Sequence, residues 1–176
     1  LLPKGGASSV IIFLTIKRKV MEHSSKTTIP AKAAEVYLAY KTTVKPSERP
    51  FITNARDCYE LLMQHWDDTK IDLLMEFKIV LLNQRHRVLG ICEISQGGIA
   101  RAEADVRLVM AAALKANAVA IILVHNYPSG NTRPSESDKD LTKRMKEAGV
   151  LLRIRVIDHI IVSREEYFSF ADEGLL

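Results

Sequence analysis

Six consecutive apolar residues, Val119-Ala120-Ile121-Ile122-Leu123-Val124, show none of the polar alternation expected of a strand with one wet face. A strand of this kind is buried on both faces, so the chain must supply a covering layer on each side of its sheet. Helical spacing provides candidates for those layers. Asn54 is placed to cap a helix running to about Asp67, with Ala55, Tyr59, Leu62 and Trp66 at helical intervals. Residues 76–82 and 88–95 read as strands joined by the polar turn Asn83-Gln84-Arg85-His86, a hairpin. After Gln96-Gly97-Gly98 a second helix is expected from Glu103 to Asn117, with Val106, Met110 and Ala113 on one side. A third is expected from Ser135 to about Ala148, packing through Leu141, Met145 and Ala148 and ended by Gly149. Residues 153–162 and 167–170 complete the strands. This alternation predicts an α/β fold, a layered α-β-α domain with a mixed central sheet.

The 176 residues suffice for one ordinary domain plus an extension. Charge divides them unevenly. Residues 1–50 hold nine Lys or Arg against three Glu, whereas the remainder holds sixteen against eighteen Asp or Glu. Residues 1–50 therefore read as a basic, extended arm, with Pro30, Pro46 and Pro50 along it, and residues 51–176 as the folded domain. Such an arm is either a solvated tail or an electrostatic contact for DNA, and no aromatic-basic interleaving or nucleic-acid motif accompanies it. The apolar run from Val10 to Ile16 is too short for a membrane span and precedes Lys17-Arg18-Lys19, unlike a signal peptide, so no membrane partner is expected. Residues 1–20 precede the first methionine, Met21, and are read as a leader or a fragment boundary with no assigned function. Cys58 and Cys92 form neither a CxxC pair nor a disulfide framework, which suits a reducing cytoplasm.

The chemistry-bearing residues gather between His125 and Asp138, in HNYPSGNTRPSESD. His125 follows the buried strand, a usual place for a site in an α/β sheet. Pro128-Ser129-Gly130-Asn131 can turn the loop back, bringing His125 close to Ser135 and Asp138 at the next helix start. A zinc hydrolase needs about three protein ligands, an open position for water, a base and an oxyanion partner. A simpler alternative exists for each residue. Ser135 with Asp138 is also a capping-box-like pattern, a strand-ending histidine is often merely hydrogen-bonded, and Glu93 could be a surface carboxylate. Spacing alone leaves both readings open.

Broader stretches point one way. Val88-Leu89-Gly90-Ile91-Cys92-Glu93, Ser95-Gln96-Gly97-Gly98-Ile99, Ala113-Leu114-Lys115-Ala116-Asn117-Ala118, the His125–Asp138 motif, Asp158-His159-Ile160-Ile161 and the final Tyr167-to-Gly174 stretch resemble a known pattern. It is the JAMM (MPN) metallopeptidase signature, H-x-H-x7-S-x2-D with an upstream Glu, in its RadC-like form. The resemblance covers about residues 54–176; the helix-hairpin-helix region of longer members is not recognisable. It implies a JAMM/MPN, cytidine-deaminase-like fold and a zinc-dependent peptidase or isopeptidase. By the same resemblance His125 and Asp138 are zinc ligands, Ser135 stabilises the oxyanion and Glu93 is the general base. Cys92, next along the strand, faces away from Glu93 and is no substitute ligand.

The sequence departs from that pattern at Tyr127, where the signature has its second histidine. A phenol must lose its proton to ligate well, so tyrosinate ligation is uncommon and zinc affinity is expected to fall. Two alternatives accompany the hydrolase: a pseudoenzyme serving as a binding module, and a DNA-associated protein, as the family's DNA-repair label suggests. His159 is expected to be a buried strand histidine tied to a polar partner. His65 and His86 have no geometric claim on the site.

Overall fold

The double-sided burial of the central strand governs the architecture. The computed structural model describes residues 42–98 and 104–176, and Val44–Leu176 form one unit. The arm expected over residues 1–50 lies outside the described residues up to residue 41, as do Ile99 and the expected helix start at Glu103. No helix among the described residues is long and apolar enough to cross a membrane.

Among the described residues five strands form one mixed sheet: β1 (Glu76–Leu82), β2 (Val88–Gln96), β3 (Ala120–Asn126), β4 (Arg155–Val162) and β5 (Tyr167–Ser169). Their spatial order is β2-β1-β3-β4-β5; β3 and β4 run parallel and every other neighbouring pair is antiparallel. β1 and β3 are buried at every position. Each fully buried aliphatic side chain contributes roughly 1.5–3 kcal/mol, so these two strands anchor the domain.

Three α-helices of the described residues cover the sheet: α1 (Ala55–Met63), α2 (Val106–Lys115) and α3 (Glu136–Leu152). On one face Ala55, Cys58 and Leu62 of α1 join Val80, Leu82, Ile122, Val124, Ile160 and Val162 in a core that also takes in Trp66 and Ile71. On the other face α3 packs on β4 and α2 packs on α3. The expected layered α-β-α arrangement with a mixed sheet is therefore present.

Asn54 caps α1, accepting the Asp57 amide at 2.9 Å. The helix stops at Met63 rather than near Asp67, because the Asp67 carboxylate takes the Thr69 amide and hydroxyl and forms a turn of its own. α2 begins at Val106, capped by Asp105. α3 runs through Gly149, contrary to the expected stop there, and ends with Arg153 in the left-handed conformation at φ 55°. Gly149 serves a close approach instead: a Cβ there would lie 2.2 Å from the Ile154 carbonyl oxygen. The buried line of α3 runs through Asp138, Thr142, Met145 and Gly149, so polar groups take the place expected for Leu141.

Candidate active site

β3 extends past the apolar run and carries His125 and Asn126 into the sheet. In the ladder His125 lies opposite Phe77 on one side and Ile161 on the other. Its imidazole is buried, stacked on the Phe77 ring and met edge-on by Tyr127. The loop after β3 folds back at Gly130, whose amide donates to the Tyr127 carbonyl at 2.9 Å with φ 76°. That turn delivers Ser135, the N-cap of α3, and Asp138 to the end of β3.

Asp138 is the hub. Its Oδ2 accepts the Ser135 amide, the Ser135 hydroxyl and the Tyr127 phenol, each at 2.7 Å. The first of these bonds, together with the Asp138 amide donating to the Ser135 hydroxyl oxygen at 3.3 Å, completes a capping box that seals the start of α3. Its Oδ1 lies 3.4 Å from His125 Nε2, a buried nitrogen with no hydrogen-bond partner among the described residues. Behind His125 a polar chain continues inward. His125 Nδ1 is 2.9 Å from His159 Nε2, His159 Nδ1 is 2.6 Å from Thr142 Oγ1, and Thr142 donates to the Asp138 carbonyl at 2.6 Å.

Burial sets the proton states. It pulls the His125 pKa down to about 4 against the opposing pull of Asp138, and holds His159 well below the ordinary imidazole range, so both are neutral at pH 7. Burial also pushes the Tyr127 phenol up to about 12; the Ser135 hydrogen bond opposes this, while the Asp138 hydrogen bond and charge add to it. Tyr127 is thus a protonated donor to Asp138.

The structure brings His125, Tyr127, Ser135 and Asp138 together and leaves Glu93 elsewhere. Lys78 pairs with both Glu93 and Val124 across the sheet, so Glu93 shares the Val124 face, opposite the one that takes His125. Its half-exposed carboxylate accepts Lys78 Nζ at 3.1 Å. Cys92 is in the neighbouring row with Ile79 and Leu123. His159 is buried and tied to polar partners, as expected; His65 bonds the Leu61 carbonyl and His86 meets Arg155.

Two functional candidates escape sequence reasoning. Thr142, one turn beyond Asp138 on the same buried line, closes the polar chain; its spacing to Asp138 was the available signal. Glu76 opens β1 one residue from Phe77, the partner of His125. The residue is fully buried, and among the described residues neither carboxylate oxygen has a hydrogen-bond partner, with Lys78 Nζ 3.4 Å from Oε2. The Asn126 side chain fixes its backbone through the Glu76 amide at 2.8 Å. A carboxylate at the head of a run of mostly apolar strand residues was the only sequence signal for it.

A layered mixed sheet, with a histidine next to last in its central strand and set against a Ser-x-x-Asp helix start, defines a domain of the JAB/MPN class. The RadC-like JAB domain family matches residues 52–175, and the chain belongs to that family. A UPF0758 protein of Porphyromonas gingivalis is 42% identical over 153 residues, covering 84% of this chain and 66% of the relative. One of Flavobacterium johnsoniae is 37% identical over 124 residues, 70% of this chain and 53% of the relative. One of Desulfitobacterium hafniense is 33% identical over 181 aligned positions, covering all of this chain and 77% of the relative. The chain thus spans about half to two thirds of the first two relatives.

Zinc is common in the JAB/MPN class, and the donor set tests whether it fits here. His125 Nε2 and Asp138 Oδ1 offer two suitable donors, the first an orphaned buried nitrogen. The third position holds a phenol that keeps its proton and donates it to Asp138. Among the described residues no three His, Cys, Asp or Glu side chains gather so as to hold a metal. The residues do not fit a three-ligand zinc centre.

Proposed function

We propose that this domain is a RadC-like JAB module of the zinc-dependent peptidase or isopeptidase type whose metal site is impaired at Tyr127. Zinc is held weakly, amide hydrolysis is correspondingly impaired, and recognition of a peptide or isopeptide segment is the function that remains. The observation that carries this reading is the 2.7 Å bond from the Tyr127 phenol to Asp138 Oδ2. It supports the reading because a ligand position is filled by a hydrogen-bond donor that consumes one oxygen of a second ligand. The position of Glu93, engaged by Lys78 on the other face, supports it further. Metal analysis of protein purified without added chelator is the test. Well under one equivalent of zinc is expected; a full, tightly held equivalent overturns the proposal.

Association with DNA is a second proposal, favoured by the charge excess of residues 1–50. Its test compares DNA binding with and without those residues over a salt series, and identical curves would sink it. Cytoplasmic residence belongs with both proposals, supported by the two free thiols of Cys58 and Cys92.

A further inference from the structure

We infer that Thr142 and His159 act as positioning residues that lock His125 in its Nδ1–H tautomer, leaving the Nε2 lone pair bare and facing Asp138. Thr142 Oγ1 lies 2.6 Å from the Asp138 carbonyl oxygen. A carbonyl has no proton to give, so at this separation the Thr142 hydroxyl proton must point at it. The same oxygen lies 2.6 Å from His159 Nδ1. With its one proton already committed, Oγ1 can only accept there, so His159 Nδ1 carries a hydrogen.

His159 is completely buried and meets no carboxylate through its ring, so it is neutral and its Nε2 is bare. That nitrogen lies 2.9 Å from His125 Nδ1, which must therefore be the donor. His125, buried and neutral in turn, has no second proton for Nε2. Among the described residues Nε2 makes no hydrogen bond, even with Asp138 Oδ1 at 3.4 Å, which agrees with this order of protons.

The result is two acceptors facing each other across a gap. Lone pair opposes carboxylate, and only a hydrogen-bond donor or a cation between them relieves the repulsion. The backbone of α3, through the Asp138 carbonyl, thus fixes the polarity of a side-chain site on the same residue. The ligand class that follows is one offering an N–H, an ammonium or a metal ion, and excludes an anion. The inference rests on the proposed site only in treating His125 and Asp138 as the groups that meet the ligand.

The test is imidazole nitrogen-proton correlation spectroscopy on the full chain, labelled with 15N-histidine and stripped of metal with chelator. The expected spectrum shows His125 protonated at Nδ1 and bare at Nε2, with His159 likewise protonated at Nδ1. Thr142→Ser keeps the hydroxyl and is expected to keep that pattern. Thr142→Val removes the acceptor at the end of the chain, and both histidines are expected to switch, placing a proton on His125 Nε2 towards Asp138. A protonated His125 Nε2 in the unaltered protein overturns the inference, whatever the variants do. An unchanged pattern in folded Thr142→Val overturns it as well. Because the spectra are recorded without metal, a full zinc equivalent in the purified protein would defeat the proposed impairment and leave the tautomer result standing.

Discussion

The Tyr127 phenol donates to Asp138 Oδ2 at 2.7 Å, onto the same oxygen that accepts both the amide and the hydroxyl of Ser135. One carboxylate oxygen is thereby saturated by three donors, and only Oδ1, facing His125 Nε2 at 3.4 Å, is turned to the site. Asp138 is at once a helix cap and a candidate ligand, and Tyr127 reinforces the first role at the expense of the second.

The capping role has a measurable size. Ser135 is the N-cap of a 17-residue helix and half of its capping box. Ser135→Ala is expected to lower stability by about 1 kcal/mol, the usual worth of such a cap. Urea melts of the metal-free protein check this. An unchanged midpoint would mean that the serine is kept for chemistry alone.

Gly149 reverses an ordinary expectation. Replacing a glycine inside a helix by alanine usually stabilises it by up to about 1 kcal/mol. Here the added Cβ would meet the Ile154 carbonyl oxygen at 2.2 Å, where the chain turns back after Arg153. Overpacking of this kind costs roughly 1–3 kcal/mol, so Gly149→Ala is expected to be net destabilising in a thermal melt. A raised melting temperature would contradict the close packing.

The two thiols should separate by pH. Burial, with Asp158 and Asp57 adding to it, pushes the fully buried Cys58 up to about 12 from an ordinary 9.0. A group whose folded pKa is raised stabilises the fold below its unfolded value and loses that contribution as pH rises through the folded one. Stability should therefore fall between about pH 9 and 12, and Cys58 should resist thiol reagents at pH 8 until the chain unfolds. Half-buried Cys92 should be the one that reacts natively. Two rapidly labelled thiols in the folded protein would refute this.

The fold was legible because its signals were local. The Asn54 cap, the Asn83-to-His86 hairpin turn and the unbroken apolar run before His125 each specify an element on their own. Gly149 misled because the same residue type serves a helix end and a close backbone approach, and only the position of Ile154 distinguishes them. The four residues of the His125–Asp138 segment were legible for a similar reason: a strand end, a turn and a helix start fix them within one short loop. Glu93 was not, because its face depends on the β1–β2 register and on the irregularity between Phe77 and Lys78. Thr142 and Glu76 stayed hidden because their roles come from contacts across elements, to His159 and Asn126.

Zinc affinity measured by chelator competition, in the unaltered protein and in Tyr127→His, tests the central claim most directly. Replacing the phenol with an imidazole removes the donor from Asp138 and supplies a third ligand. Tyr127→His is expected to bind zinc at least about a hundredfold more tightly, equivalent to about 2.8 kcal/mol. Equal, tight binding of one zinc by both proteins would contradict the account, because Tyr127 would then be no obstacle at the site.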